Sequence, residues 1–182
     1  MKSILFVCTG NIFRSMTAEY ALKVALGLES AYIVSSAGTE TKPQEMAHYV
    51  RARLHQRGLD PAKHQQRRVT AEMLNEADLV VAMGLDHRAY LKDQFGREAW
   101  LFNQVCFGQE EPILDIGEAL PDWPSNPEAQ AAYGISVVDY ICDSMPSFIE
   151  NVERYLLTDF CWASSKVIYS WLRSGKFNGG CM

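Results

Sequence analysis

The sequence predicts an α/β domain: a doubly wound, four-stranded parallel sheet with helices on both faces, followed by an extra C-terminal helical tail. Three observations carry that prediction. Short apolar runs alternate with helix-length segments through about residue 105, the order that gives a parallel sheet. The runs "SILFVC" (3–8) and "DLVVAM" (78–83) show no polar alternation, which marks strands buried on both faces. The intervening segments carry apolar residues at helical spacing and stop at glycine.

The elements follow in order. Residues 3–8 form the first strand, and 15–27 a helix with Ala18, Ala21, Leu22 and Ala25 on one stripe and Gly27 at its end. "AYIVSS" (31–36) is the second strand. Thr41, with Gln44 three residues on and Pro43 between, reads as a helix start. That helix places Met46, Val50 and Leu54 on one face and ends at Gly58. "TAEMLNEA" (70–77) is a short capped helix, 78–83 the third strand, 85–95 a helix closed by Gly96, and "AWLFNQV" (99–105) the fourth strand. Residues 106–128 hold Pro112, Pro121, Pro124 and Pro127 and read as a long loop of the kind that carries function. A helix is expected over about 136–157, with Pro146 as a kink.

These elements divide the chain into a domain, 1–157, and an aromatic, locally basic tail, 158–182. As a helix the tail aligns Phe160, Ala163, Val167 and Trp171. It reads first as a segment docked on the domain or a self-association surface. The alternative is contact with a membrane surface through Phe160, Trp162 and Trp171.

Composition narrows the function. Seventeen Lys and Arg against 22 Asp and Glu give a net charge of −5, which excludes a general nucleic-acid binder. No apolar run is long enough to span a bilayer, and the N-terminus runs straight into a strand without the pattern of a secretory signal. Five cysteines, with no C-x-x-C pair, form neither a disulfide framework nor a zinc-ligand pattern. A reduced, cytoplasmic protein is expected.

The chemistry centres on "VCTGNIFRS" (7–15). Cys8 ends a strand, where ligands bind in such sheets. A tight turn after a strand directs successive backbone N–H groups into a concavity that binds anions, and the helix starting near Ser15 aims its positive end at the same place. Arg14 can grip two phosphate oxygens with its planar fork. Cys8, in that positive field, is favoured as the attacking thiolate. Ser15 is close enough in sequence to hydrogen-bond the sulfur and steady it as a leaving group. Gly10 and Asn11 suit the left-handed backbone of such a loop.

"VCTGNIFRS" resembles the active-site loop of low-molecular-weight protein tyrosine phosphatases. "SSAGT" (35–39), "RGLD" (57–60), "DLVVAMGLDHRAYL" (78–91) and "LPDWP" (120–124) fall where that family has similar segments. The resemblance implies a metal-free, cofactor-free phosphatase acting on phosphotyrosine-containing proteins. It makes Cys8 the nucleophile of a phosphocysteine intermediate. Arg14 and the loop from Thr9 through Gly10, Asn11, Ile12 and Phe13 to Ser15 hold the phosphate. Asp122 is the general acid and Trp123 flanks the substrate; Asp115, in "ILDIG", is the rival acid.

Several positions depart from the family pattern. Phe13 stands where many members have a second cysteine, so no local disulfide can protect Cys8. Met16 replaces a common proline. Trp123-Pro124 reverses a frequent proline–aromatic order. Ile12 is apolar, as in tyrosine-specific members, whereas related arginine phosphatases carry threonine. His48 and His87 occupy helical positions and read as surface or satisfied core. Two alternatives remain: a phosphate-binding module without turnover, and an arsenate-reductase-like redox enzyme. The latter needs cysteines between Cys8 and Cys106, where there are none.

Overall fold

The computed structural model describes residues 1–27 and 30–157. Four parallel strands, Lys2–Cys8 (β1), Tyr32–Gly38 (β2), Leu79–Ala82 (β3) and Trp100–Leu101 (β4), form one sheet in the order β2-β1-β3-β4. The helices are Arg14–Leu26 (α1), His48–Gln56 (α2), Ala71–Glu76 (α3), Leu85–Phe95 (α4), Phe102–Phe107 (α5), Ile116–Ala119 (α6) and Pro127–Asp143 (α7). Residues 145–157 form a further helix (α8). The doubly wound sheet is the expected one.

Period-two alternation sorts the side chains of β1 to two cores. Ile4, Phe6 and Cys8 face one layer with Met16 and Leu22 of α1, Val50 and Leu54 of α2, and Val138 and Ile141 of α7. Leu5 and Val7 face the other, with Leu74 of α3 and Leu91 of α4. Phe6 anchors the larger core. Its ring lies 5.4 Å from that of Phe148 and 6.4 Å from that of Phe102. Truncating it to alanine would cost about 3–5 kcal/mol.

Five expectations shift. Residues 41–47 are not helical; α2 starts at His48 behind Ala47, and Thr41 and Pro43 stand in an irregular segment that lines a cavity wall. The fourth strand is two residues long and passes at once into α5, because Phe102, Val105 and Cys106 bury at helical spacing. The loop at 106–128 contains α6 and a 3-10 turn, Trp123–Ser125. The helix expected from 136 starts at Pro127, capped by the Asn126 side chain on the Ala129 N–H. It breaks at Ser144, so that Pro146 sits in the first turn of α8, where a missing N–H costs nothing. On α1, Ala25 is exposed, and the buried stripe runs instead through Met16, Ala18, Ala21 and Leu22. The tail, 158–182, lies outside the described residues. Among the described residues no helix is long and apolar enough to cross a membrane.

Candidate active site

Residues 9–13 link the carboxyl end of β1 to α1. Helix α1 opens without a side-chain cap and without an acid in its first turn, so its positive end is left for a ligand. Asn11 takes a left-handed φ of 53°. Its side chain stabilises that conformation: Nδ2 donates to Ser36 Oγ at 2.7 Å and to Ser15 Oγ at 3.2 Å, and Oδ1 accepts the Arg67 N–H at 3.0 Å. His64 donates to the Asn11 carbonyl at 2.7 Å and Gln66 to the Gly10 carbonyl at 2.7 Å. The carbonyls of the loop are thereby held from behind. Ser36 passes the chain on by donating to Glu19 at 2.5 Å.

Cys8 is almost fully buried, and its Sγ lies 3.0 Å from Ser15 Oγ. Ser15 accepts from Asn11, and its own proton is shared between the sulfur at 3.0 Å and the Ala37 carbonyl at 3.4 Å. Arg14, 2% exposed, donates to the Ile113 carbonyl at 2.7 Å through one terminal nitrogen. Through the other it meets Asp115 Oδ2 at 2.5 Å and Thr9 Oγ1 at 3.5 Å. Ile113 is itself fixed just past the end of β3 by its N–H on the Met83 carbonyl. Glu118 lies 3.8 Å from the guanidinium. Asp115 also caps α6, and its neighbour Leu114 is held by the Tyr133 hydroxyl at 2.9 Å.

A cavity of about 620 Å³ opens over Cys8 and Arg14. Ile12, Phe13, Tyr49 and Trp123 supply apolar wall, and Asp115 lies in the lining. Thr9 and Gly10 line it as well, whereas Asn11 and Ser15 lie buried beneath it. The loop, the arginine and the thiol thus come together as the sequence suggests. Asp122 does not join them: it is exposed, stands at the start of the 3-10 turn and is outside the cavity lining. Trp123, next to it, does reach the wall.

Sequence reasoning missed three contributors. Glu19 carries no motif, and Ser36 lies in "SSAGT" without a role read for it; a buried glutamate on the apolar side of α1 was the available signal. Tyr49 reaches the cavity from α2, and its hydroxyl is buried without a hydrogen-bond partner. Of the two readings of His87, surface or satisfied core, the structure excludes the surface. It is 1% exposed, and its Nε2 is 2.8 Å from Thr9 Oγ1. Burial, aided by Arg14, pulls its pKa down to about 4, so the ring is neutral. Burial raises the Cys106 thiol to about 12, far from the cavity's chemistry. No cluster of three or more metal-ligating side chains exists among the described residues.

Known proteins resemble this chain in sequence and in fold. Residues 3–106 match the family model for low molecular weight phosphotyrosine protein phosphatase. A protein-arginine-phosphatase of Bacillus subtilis is 34% identical over 118 residues, 62% of this chain and 77% of that protein. A low molecular weight protein-tyrosine-phosphatase, Ptp, of Acinetobacter johnsonii is 35% identical over 94 residues, 50% of this chain and 63% of its own length. The solved YwlE arginine phosphatase of Geobacillus stearothermophilus shares the fold, with a TM-score of 0.70 at 22% identity, covering 87% of this chain and 97% of that one.

Proposed function

Since the chain belongs to the low molecular weight phosphotyrosine protein phosphatase family, a family of phosphatases, we propose that it hydrolyses phosphotyrosine on proteins through a phosphocysteine at Cys8. The observation that carries this reading is the convergence of Cys8, Arg14 and Asp115 on one cavity, with Ser15 beneath it at the sulfur. The thiolate attacks phosphorus, an S–P bond forms, and the ester P–O bond breaks. Arg14 and the amides of the Thr9–Ser15 turn balance the charge on the equatorial oxygens. A carboxylic acid delivers a proton to the departing phenolate oxygen. The resulting carboxylate then takes a proton from water as that water attacks phosphorus. The S–P bond breaks, phosphate leaves, and Ser15 donates to the released thiolate.

We assign the acid to Asp115 in place of Asp122. Asp115 is already at the guanidinium that would hold the phosphate, while Asp122 lies outside the cavity lining. The walls Ile12, Phe13, Tyr49 and Trp123 support an aromatic leaving group, although Glu40, Glu45 and Glu118 in the same lining also supply acceptors of the kind a guanidino group would use. The described thiols other than Cys8 do not line the cavity, which disfavours an arsenate-reductase relay.

Hydrolysis of p-nitrophenyl phosphate near pH 6 with chelator present, lost in Cys8→Ser, tests the chemistry. A phosphotyrosine peptide turned over faster than a phosphoarginine peptide supports the substrate; the reverse order overturns it. Binding of phosphate without turnover leaves a phosphate-binding module.

A further inference from the structure

The mechanism leaves one buried titratable group at the site unused: His87, in the first turn of α4. Its Nε2 lies 2.8 Å from the Thr9 hydroxyl, and that hydroxyl is the side-chain contact of Arg14 opposite Asp115. The other ring nitrogen, Nδ1, is buried with no hydrogen-bond partner; the Asp86 carboxylate stands 3.3 Å from it, a charge contact too poorly aligned to count as a bond.

The proton positions follow from these neighbours. A neutral imidazole has one N–H. Placed on Nδ1, it faces a carboxylate; placed on Nε2, it would leave a bare lone pair facing that carboxylate. The first tautomer is favoured, so Nε2 accepts. The Thr9 hydroxyl must then donate to His87, and its lone pairs turn toward the Arg14 N–H, 3.5 Å away. Without His87 the hydroxyl could rotate and aim its proton at the guanidinium, where it repels.

We propose that His87 is a positioning residue that fixes Thr9 as a hydrogen-bond acceptor for Arg14, and so sets the plane of the guanidinium that grips the phosphate. The proposal rests on the phosphatase reading above for its kinetic consequences and on the hydrogen-bond geometry for its own. An arriving oxyanion competes with Asp115 for the same terminal nitrogen. Once Asp115 yields, the Ile113 carbonyl and the Thr9 hydroxyl are the neutral acceptors that keep the guanidinium in place. The Ile113 carbonyl is a backbone atom anchored just past the end of β3; the Thr9 hydroxyl is a rotor and needs His87 to orient it. Gly84, just before α4, makes the arrangement possible: a Cβ there would lie 2.8 Å from His87 Nδ1.

The test uses the full chain with Thr9→Val, Thr9→Ser, His87→Leu, His87→Gln and the Thr9→Val/His87→Leu double variant. Three readouts are taken: kcat and KM for p-nitrophenyl phosphate, the affinity for inorganic phosphate by calorimetry, and the 15N shifts of the His87 ring. Thr9→Val and His87→Leu should each weaken phosphate binding and kcat/KM about tenfold, the size of one hydrogen bond to a charged group. The double variant should lose no more than the worse single one, since both remove the same link. Thr9→Ser should retain wild-type values. The ring spectrum should show Nδ1 protonated and Nε2 bare. Losses that multiply in the double variant, or a ring protonated at Nε2, overturn the proposal. If His87→Leu does not fold, Thr9→Val and the spectrum still decide it. Absence of turnover in a wild-type protein that binds phosphate would refute the catalytic reading, while the binding and spectral arms still judge this one.

Discussion

Asp115→Asn removes a negative charge from the one guanidinium the site offers to phosphate, and its effect can be worked from the geometry. Arg14 is 2% exposed and Asp115 41% exposed, at 2.5 Å. Hydrogen bonds to charged groups are worth roughly 1.5–3 kcal/mol, and solvent on the Asp115 side pulls the value toward the lower end. Asparagine keeps an acceptor and the cap on α6 but lacks the charge. A gain of about 1–2 kcal/mol in inorganic phosphate binding follows, roughly 5- to 30-fold, because the internal competitor is weakened. Turnover should move the other way. Loss of a general acid costs roughly 10²–10⁴ in rate, most with poor leaving groups. The assay is steady-state kinetics on a series of aryl phosphates with inorganic phosphate as competitive inhibitor, alongside Asp122→Asn. The reasoning is refuted if Asp115→Asn binds phosphate less tightly than wild type. It is refuted equally if Asp122→Asn, and not Asp115→Asn, makes the rate depend more steeply on the leaving group.

Other consequences are open to measurement. The unfolded chain protonates His87 near 6.5 and the folded chain only at about 4, so the unfolded state binds more protons between these values. Stability should therefore fall as pH drops through that window, by up to about 3 kcal/mol from this group, and be independent of it above; from pH 7 to 4.5 the urea midpoint of wild type should fall relative to that of His87→Gln. Gly38→Ala would place a Cβ 2.5 Å from the Thr9 carbonyl oxygen and 3.1 Å from the Asn11 nitrogen. Both are backbone atoms of the phosphate turn, so activity should fall by far more than the thermal midpoint suggests, as read by kinetics beside calorimetry. Cys106, buried and raised to about 12, should resist iodoacetamide at pH 8 until the protein is unfolded, as peptide mass spectrometry can show.

What the sequence revealed, and what it hid, follows from the range of each interaction. The segment 7–15 was readable because strand end, turn and helix start lie within nine consecutive residues and their chemistry is local. Helices α3 and α4 were readable from Thr70 and Gly96, whose capping roles are local too. The start of α2 was misread because Thr41 and Pro43 give a valid local signal that the tertiary position of 41–47 overrides. The run 99–105 was misread because a buried apolar segment fits strand and helix alike; only the seating of Phe102 beneath Phe148 decides it. The choice between the two candidate acids was hidden for a similar reason. Asp115 and Asp122 are both loop acids in sequence, and what separates them is an ion pair to a residue 101 positions earlier. His87 and Thr9 are 78 positions apart, beyond any spacing rule.

The clasp of Arg14 on the Ile113 carbonyl spans 99 residues of chain. Ile113 in turn hangs from Met83, the residue after β3, so the arginine proposed to receive the phosphate is held by a contact that exists only once the first and third strands are side by side and the chain beyond α5 has come back over them. Contacts of such long sequence separation close late, because loop-closure entropy opposes them until the rest of the chain is ordered. The catalytic centre is therefore a reporter of completed folding. In a refolding time course, burial of the aromatic core around Phe6 should lead and recovery of activity should trail, with no interval in which a half-assembled chain is an active enzyme.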